Sequence, residues 1–188
     1  MAVNRSIWQD TVGVPEVIRE SPIPTEIEDN KVLIKVHAWA INLCDAMLQD
    51  KKLPIIIYPV ILGQDVAGTV EAVGTAAAAK FHIGDRVFVF SSNNGFQEYV
   101  ALSDSPMAKI PETLSFAQVA VFPLCVSTSF ALFSNAFLVL RMPSLEPVAT
   151  GQSVLIWGGS SAVGSNAIQL AKIAGYEVVT TCSLRNTE

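Results

Sequence analysis

The chain has 188 residues, a formal net charge of −5 and only 15% charged residues against 51% hydrophobic ones, enough apolar material for one domain or two small ones with a core. No basic run and no interleaving of basic with aromatic residues is present, which excludes the usual nucleic-acid-binding classes. Cys44, Cys125 and Cys182 are too scattered for a disulfide framework or a Cys-x-x-Cys metal knuckle.

The N-terminus, MAVNRSIWQDTVG, lacks the apolar core of a signal peptide, so a cytoplasmic chain with reduced thiols is expected. Residues 6–10 and 17–22 read as short strands about the Gly13-Val14-Pro15 turn. Residues 31–42, KVLIKVHAWAIN, form the strongest strand pattern: Val32, Ile34, Val36 and Ala38 take one face, Leu33, Lys35, His37 and Trp39 the other. A turn at Asn42-Leu43-Cys44-Asp45 then enters a short helix reaching Leu48, for which Asp45 is a candidate N-cap. A bulky loop over 53–59 follows, and residues 62–74, LGQDVAGTVEAVG, read as a turn and a strand. Gly84-Asp85-Arg86 turns into a strand over 87–90, and residues 95–102 are expected to pair with it. Many short strands punctuated by Gly and Pro predict a compact β-barrel-like domain over 1–115.

The pattern becomes helical near Ser115, and residues 113–140 carry no charge. Length alone would admit a membrane span there. Pro123 in mid-run, with Gln118, Ser127, Thr128, Ser129, Ser134 and Asn135, predicts instead two helices in a buried inter-domain segment, so no membrane is expected. That connection and a Pro-bearing linker occupy 116–150.

Residues 151–188 hold the most informative stretch. The apolar run Val154-Leu155-Ile156-Trp157 predicts a buried parallel strand. The chain then turns through Gly158-Gly159-Ser160-Ser161-Ala162-Val163-Gly164 into a helix with Ala167, Ile168, Leu170, Ala171 and Ala174 at helical spacing, closed by Gly175. A second strand covers 178–181. Strand, glycine-rich turn, helix and strand make the opening βαβ unit of a dinucleotide-binding fold, because free N–H groups and the dipole at a helix N-terminus favour a pyrophosphate. Against Gly-x-Gly-x-x-Gly, Gly159 takes the first place and Gly164 the third, while Ser161 stands at the second. An acidic residue that would hold a ribose 2′-hydroxyl is missing after the second strand. Ser183 and Arg185 stand there instead, and a hydroxyl with a guanidinium fork suits a 2′-phosphate. NADPH is therefore expected rather than NADH, the alternative being a solvated loop with an incidental arginine.

The order of these motifs, LGQDVAGTVEAVG, IGDRVFVF, GFQEYVAL and VLIWGGSSAVG, resembles the medium-chain dehydrogenase/reductase superfamily over essentially the whole chain. The likeness is strongest to its zinc-free branch of quinone oxidoreductases and fungal enoyl reductases. The resemblance implies a GroES-like domain followed by the start of a Rossmann domain, with NADPH in the cleft between them. It also implies hydride transfer to an activated C=C of an enoyl thioester, or to a quinone. The positions that hold catalytic zinc in metal-dependent relatives are Asn42, Gln64 and Leu124 here, which supply no zinc ligand. Asn42 matches an asparagine beside the nicotinamide, Asp45 an aspartate three residues on, and Thr128 a threonine that packs against the nicotinamide ring, an interior hydroxyl being the alternative reading of Thr128. These three are the expected catalytic residues.

Relatives continue through further Rossmann strands beyond the point matching Glu188. A two-stranded parallel sheet cannot cover both faces, and the helix after Gly164 is expected to lack packing partners. A fragment or truncated chain with little catalysis of its own is therefore expected. Its expected partners are a small-molecule substrate and either a second copy or a missing C-terminal half. A non-catalytic chain that survives by association is the other reading.

Overall fold

The structure is a computed structural model that describes residues 3–51, 56–134 and 140–186. Contacts divide the chain into two compact units, Met1–Leu124 and Cys125–Glu188.

In the first unit β1 (Val3–Gln9) pairs antiparallel with β2 (Val17–Pro22) and with the short β4 (Val60–Ile61). The larger sheet comprises β3 (Lys31–Ala40), β5 (Asp65–Val73), β6 (Arg86–Phe90), β7 (Tyr99–Ser103) and β8 (Met107–Lys109), in the order β7-β3-β5-β6-β8. All its pairings are antiparallel. Its core is β-branched, as suits a pleated face: Val32, Ile34, Val66, Val70, Val87, Val89 and Val100 pack together, with Val32 and Ile34 0% exposed. The alternation of β3 is imperfect, since Leu33 on the opposite face is also buried and the register against β5 shifts at Leu33/Ile34 and Val36/Ala38. Gly68 lies at this irregular crossing, where an added Cβ would fall under 3.0 Å from Lys35 O.

One predicted pairing is wrong. The strand read over 95–102 does not join the one at 87–90; β7 pairs with β3, from Lys31↔Ser103 to Lys35↔Tyr99, and β8 takes the free edge of β6. The preceding segment diverts the chain: Phe96 N–H donates to Leu62 O at 3.0 Å, and Ile7 N–H donates to Phe96 O at 2.9 Å. These bonds carry the chain past β6 before β7 begins. Met-Ala-Lys, the sequence of β8, is too short to show a period.

The apolar run after Ser115 splits as Pro123 predicts. Taken as one helix, Phe116–Ser134 would be long and apolar enough to cross a membrane. It forms instead α2 (Phe116–Val119), capped by Ser115, and α3 (Pro123–Ser134), with Pro123 in the first turn, where its missing N–H costs nothing. At ~1.5 Å per residue α3 falls well short of a hydrocarbon core about 30 Å thick.

In the second unit β9 (Ser153–Ile156) and β10 (Glu177–Thr180) pair parallel, from Ser153↔Glu177 to Ile156↔Thr180, joined through α4 (Ala162–Ile173). Contrary to expectation α4 has partners: Ala167 and Ala171 are buried with Phe133, Ile156 and Tyr176, flanked by Leu132, Val154, Ile168 and Val178. The expected burial of the first strand holds on this face alone. Leu155 and Val179, on the opposite face, are 64% and 54% exposed, and Trp157 lies in the turn rather than the strand, 84% exposed. Gly175 ends α4 as predicted, at φ +91°. Its N–H donates to Lys172 O and that of Tyr176 to Ala171 O, the paired bonds of a Schellman motif.

Candidate functional site

The candidate residues fall into two groups, one in each unit. In the second unit the parallel strands set the C-terminal ends of β9 and β10 side by side, the position where open α/β sheets bind ligands. Gly158 makes the turn at φ +79°, with nothing within 4 Å of where a Cβ would stand. Gly159 lies against β10: a Cβ there would be 2.8 Å from Ile168 Cδ1 and closer still to Thr180 Oγ1. At Gly164 it would be 2.9 Å from Gly159 Cα and closer to Gly158 O, so only glycine lets α4 seat against the turn.

Ser161, at the second place of the glycine pattern, is the N-cap of α4. Its Oγ accepts from Gly164 N–H at 3.0 Å and donates to Gly158 O at 2.8 Å, so the side chain folds back onto the turn. The first-turn amides of Ala162 and Val163 keep no acceptor within the helix. Ser160 is exposed in the turn. Two residues that the sequence reading passed over hold this cradle. Thr181 accepts from Gly158 N–H at its Oγ1 (3.0 Å) and from Gly159 N–H at its carbonyl (2.9 Å), pinning the turn to the end of β10. Ser129, 1% exposed on α3, has its hydroxyl 2.7 Å from Cys125 O and 2.8 Å from Val163 O, joining α3 to the start of α4. Thr128, beside it, is exposed and lines a cavity of about 260 Å³ with Leu132, Ile156, Trp157, Val163 and Gly164.

Ser183 and Arg185 follow β10 at the same end of the sheet. Ser183 Oγ accepts from Asn186 Nδ2 at 3.1 Å, and Arg185 is exposed in a short 3-10 turn, Leu184–Asn186. This cradle therefore fits a dinucleotide: backbone amides at a helix start, glycines where a side chain would collide, and a guanidinium beyond the second strand.

The first unit holds the other group. α1 (Leu43–Asp50) begins at Asn42, which is its N-cap; Asp45, the predicted N-cap, stands three residues on and accepts from Asn42 N–H at 2.7 Å. A carboxylate at that place serves as well, because it meets a free amide and the positive end of the helix dipole. Asn42 Nδ2 donates to Asp65 Oδ2 at 2.8 Å, and the other oxygen of Asp65 accepts from Leu124 N–H at 2.6 Å. Asp65 is 0% and Asp45 4% exposed, and no ion pair reaches either among the described residues. Burial pushes both carboxyls up from the usual aspartate range, opposed at Asp65 by the Asn42 amide and at Asp45 by the Asn42 backbone. Among the described residues Asp45 Oδ1 has no partner at hydrogen-bond distance, and the Gly63 backbone N–H acts with that of Asn42 to oppose the rise. Asp45 also borders a cavity of about 340 Å³ walled by Ile7, Trp39, Ile41, Ala46 and Phe96. Cys44 Sγ donates to Gln64 Oε1 at 3.1 Å, and burial pushes the thiol up.

The three zinc-matching positions are thus otherwise engaged. Asn42 is bonded to Asp65, Gln64 to Cys44 and Ser92, and Leu124 offers only a backbone N–H. Two amides and an aliphatic side chain do not fit Zn²⁺. The bulky loop read over 53–59 falls partly outside the described residues.

Residues 28–112 match the alcohol dehydrogenase GroES-like domain. Over 182 residues the chain is 44% identical to a dehydrogenase of Aspergillus niger, covering 90% of this chain and 52% of that protein. A trans-enoyl reductase of Aspergillus japonicus is 39% identical over 193 residues, covering 98% of this chain and 56% of that protein. Among solved structures, the quinone oxidoreductase of Coxiella burnetii superposes with a TM-score of 0.75 at 30% identity, covering 98% of this chain and 58% of that one. A mycobacterial protein complexed with NADPH gives a TM-score of 0.73 at 28% identity, covering 96% and 52% respectively. The chain spans about half the length of the curated relatives it matches.

Proposed function

Because the chain belongs to the medium-chain dehydrogenase/reductase superfamily, we propose that it is the GroES-like and first nucleotide-binding part of an NADPH-dependent, zinc-independent reductase. Its proposed substrate is the activated C=C of an enoyl thioester, in keeping with relatives named trans-enoyl reductases. A quinone is the second reading, favoured by the likeness to quinone oxidoreductases.

The observation that carries the cofactor is the cradle at the start of α4, where Gly164 admits no side chain and Thr181 holds the turn against β10. Bound there, a nicotinamide cofactor supplies the hydride. The amides of Ala162 and Val163 meet the pyrophosphate, with Gly159, Ser160, Ser161 and Gly164 shaping the approach. Ser183 and Arg185 meet the 2′-phosphate. Thr128 borders the nicotinamide side, and Asn42 and Asp45 supply polar contacts in the GroES-like unit. Zinc plays no part in this reading, because the residues at its three positions do not fit the metal.

Parallel titrations of the chain with NADPH and NADH, followed by nucleotide fluorescence, test the proposal. Arg185→Ala should weaken NADPH by about 10- to 100-fold, the loss of a charge-assisted hydrogen bond, and leave NADH unchanged. Equal affinity for the two cofactors would remove the 2′-phosphate assignment. No binding, with oligomers that grow with concentration, would favour the association reading.

A further inference from the structure

We propose that Asp65 is the positioning residue of the Asn42 site: one buried carboxylate selects the orientation of the Asn42 amide and anchors the start of α3. The inference rests on the reading above in one respect, that Asn42 contacts the bound ligand.

Asp65 opens β5 and is 0% exposed. Its two oxygens serve two different elements, Oδ2 taking Asn42 Nδ2 at the N-cap of α1 and Oδ1 taking Leu124 N–H in the first turn of α3. No cation shares it among the described residues. A buried carboxyl without a cation is costly, and an amide or an aliphatic residue of similar volume would cost less. What neither replacement offers is two acceptors, one for each of two N–H donors on separate elements.

The consequence falls on Asn42. The oxygen and nitrogen of an amide are nearly the same size, so packing alone does not distinguish an asparagine from its flipped form. An acceptor-only partner does. Facing Asp65 Oδ2, the amide presents Nδ2, which turns Oδ1 to the start of α1, where it faces Asp45 N–H in a capping box and keeps one lone pair for a further donor. The site is therefore set to receive a hydrogen-bond donor, a hydroxyl or an amide N–H of the bound nucleotide or substrate. Asp65 touches no ligand; with Asp45 N–H on the other side, its Oδ2 holds the Asn42 amide in one orientation.

The substitution Asp65→Asn tests this in the full chain. The new residue still accepts from Leu124 N–H, but its second atom becomes a donor facing the donor of Asn42. Asn42 then either keeps its orientation against a donor or flips at the expense of its capping contact with Asp45 N–H, and in both cases the oxygen it holds toward the ligand is displaced. The reverse pair, Asn42→Asp with Asp65→Asn, restores complementary donor and acceptor and returns an acceptor to position 42. NADPH affinity measured by fluorescence should fall about tenfold in Asp65→Asn, the worth of one hydrogen bond turned wrong, and recover in the double variant. Thermal melting of all variants provides the structural reference. If Asp65→Asn melts early, the double variant still decides, because a residue needed only for folding would not have its binding defect repaired by moving the carboxylate to position 42. Unchanged affinity in Asp65→Asn, or a double variant as weak as the single, overturns the role of Asp65. Unchanged affinity in Asn42→Ala overturns the reading of Asn42 itself, and absent NADPH binding by the wild-type chain overturns both.

Discussion

Gly164→Ala sets two physical effects of opposite sign against each other. In an open helix the change would stabilise by about 1 kcal/mol, since glycine gives up more backbone freedom on folding than alanine. Here the new Cβ would stand 2.9 Å from Gly159 Cα and closer to Gly158 O, both backbone atoms that cannot rotate aside. Forcing a methyl into packed surroundings costs about 1–3 kcal/mol. Moving the Gly158 carbonyl also strains the bonds it accepts from Ser161 N–H (3.1 Å) and Ser161 Oγ (2.8 Å), each worth about 1 kcal/mol. The expected sum is a loss of about 1–3 kcal/mol, after the helix-propensity gain is subtracted. Urea unfolding followed by far-ultraviolet circular dichroism reads the stability, and amide hydrogen exchange along α4 shows whether the loss is local. Gly158→Ala is the control: its φ of +79° is unfavourable for alanine, but nothing lies within 4 Å of the new methyl, so the cost is about 1–2 kcal/mol of strain without displacement of α4. A Gly164→Ala chain at least as stable as wild type would refute the packing argument and with it the tight seat of helix on turn.

Other expectations concern the same two groups. Ser161→Ala removes the cap on Gly164 N–H and should lower stability by about 1 kcal/mol; an unchanged urea midpoint would mean that water caps α4 as well as serine does. The pH dependence of Asp45 follows from burial. Its folded-state value is raised above the 3.8 of an ordinary aspartate, so its contribution is fully present below that pH. That contribution is lost as pH climbs through the raised value, above which the buried charge weighs against folding. Asp45→Asn should therefore flatten the fall in stability above pH 3.8, seen as urea midpoints collected across pH. Asp85 and Glu98, held below their usual values by Lys109 and Arg5, act in the opposite sense, whereas Asp65, raised by burial and in part by the Asp45 charge, acts in the same sense, so the difference between variant and wild type reads Asp45 together with its effect on Asp65. A variant profile as steep as that of wild type would take Asp45 out of the explanation.

Local chemistry made the second unit legible in the amino-acid order. A strand, a turn that needs glycine, a helix with alanines on one face and a glycine closing it are each decided within a few residues. Gly175 in its left-handed conformation and the break before Pro123 follow from the same kind of short-range sterics. The lack of zinc ligands at Asn42, Gln64 and Leu124 was equally a matter of residue type. Long-range geometry decided the rest. Whether the strand over 99–103 joins its neighbour in sequence or crosses to β3 depends on bonds from Phe96 to distant residues, and no period records them. The identity of the α1 cap turned on one backbone torsion that let Asn42, not Asp45, take that place. Thr181 and Ser129 look like ordinary strand and helix residues until the turn is folded against them. Asp65 gave the least sign of its place, because an aspartate at the head of a valine-rich strand reads as solvated. Only the fold of the first unit, which brings Asn42 and the Leu124 N–H to the head of β5, buries its carboxylate and gives each oxygen a donor.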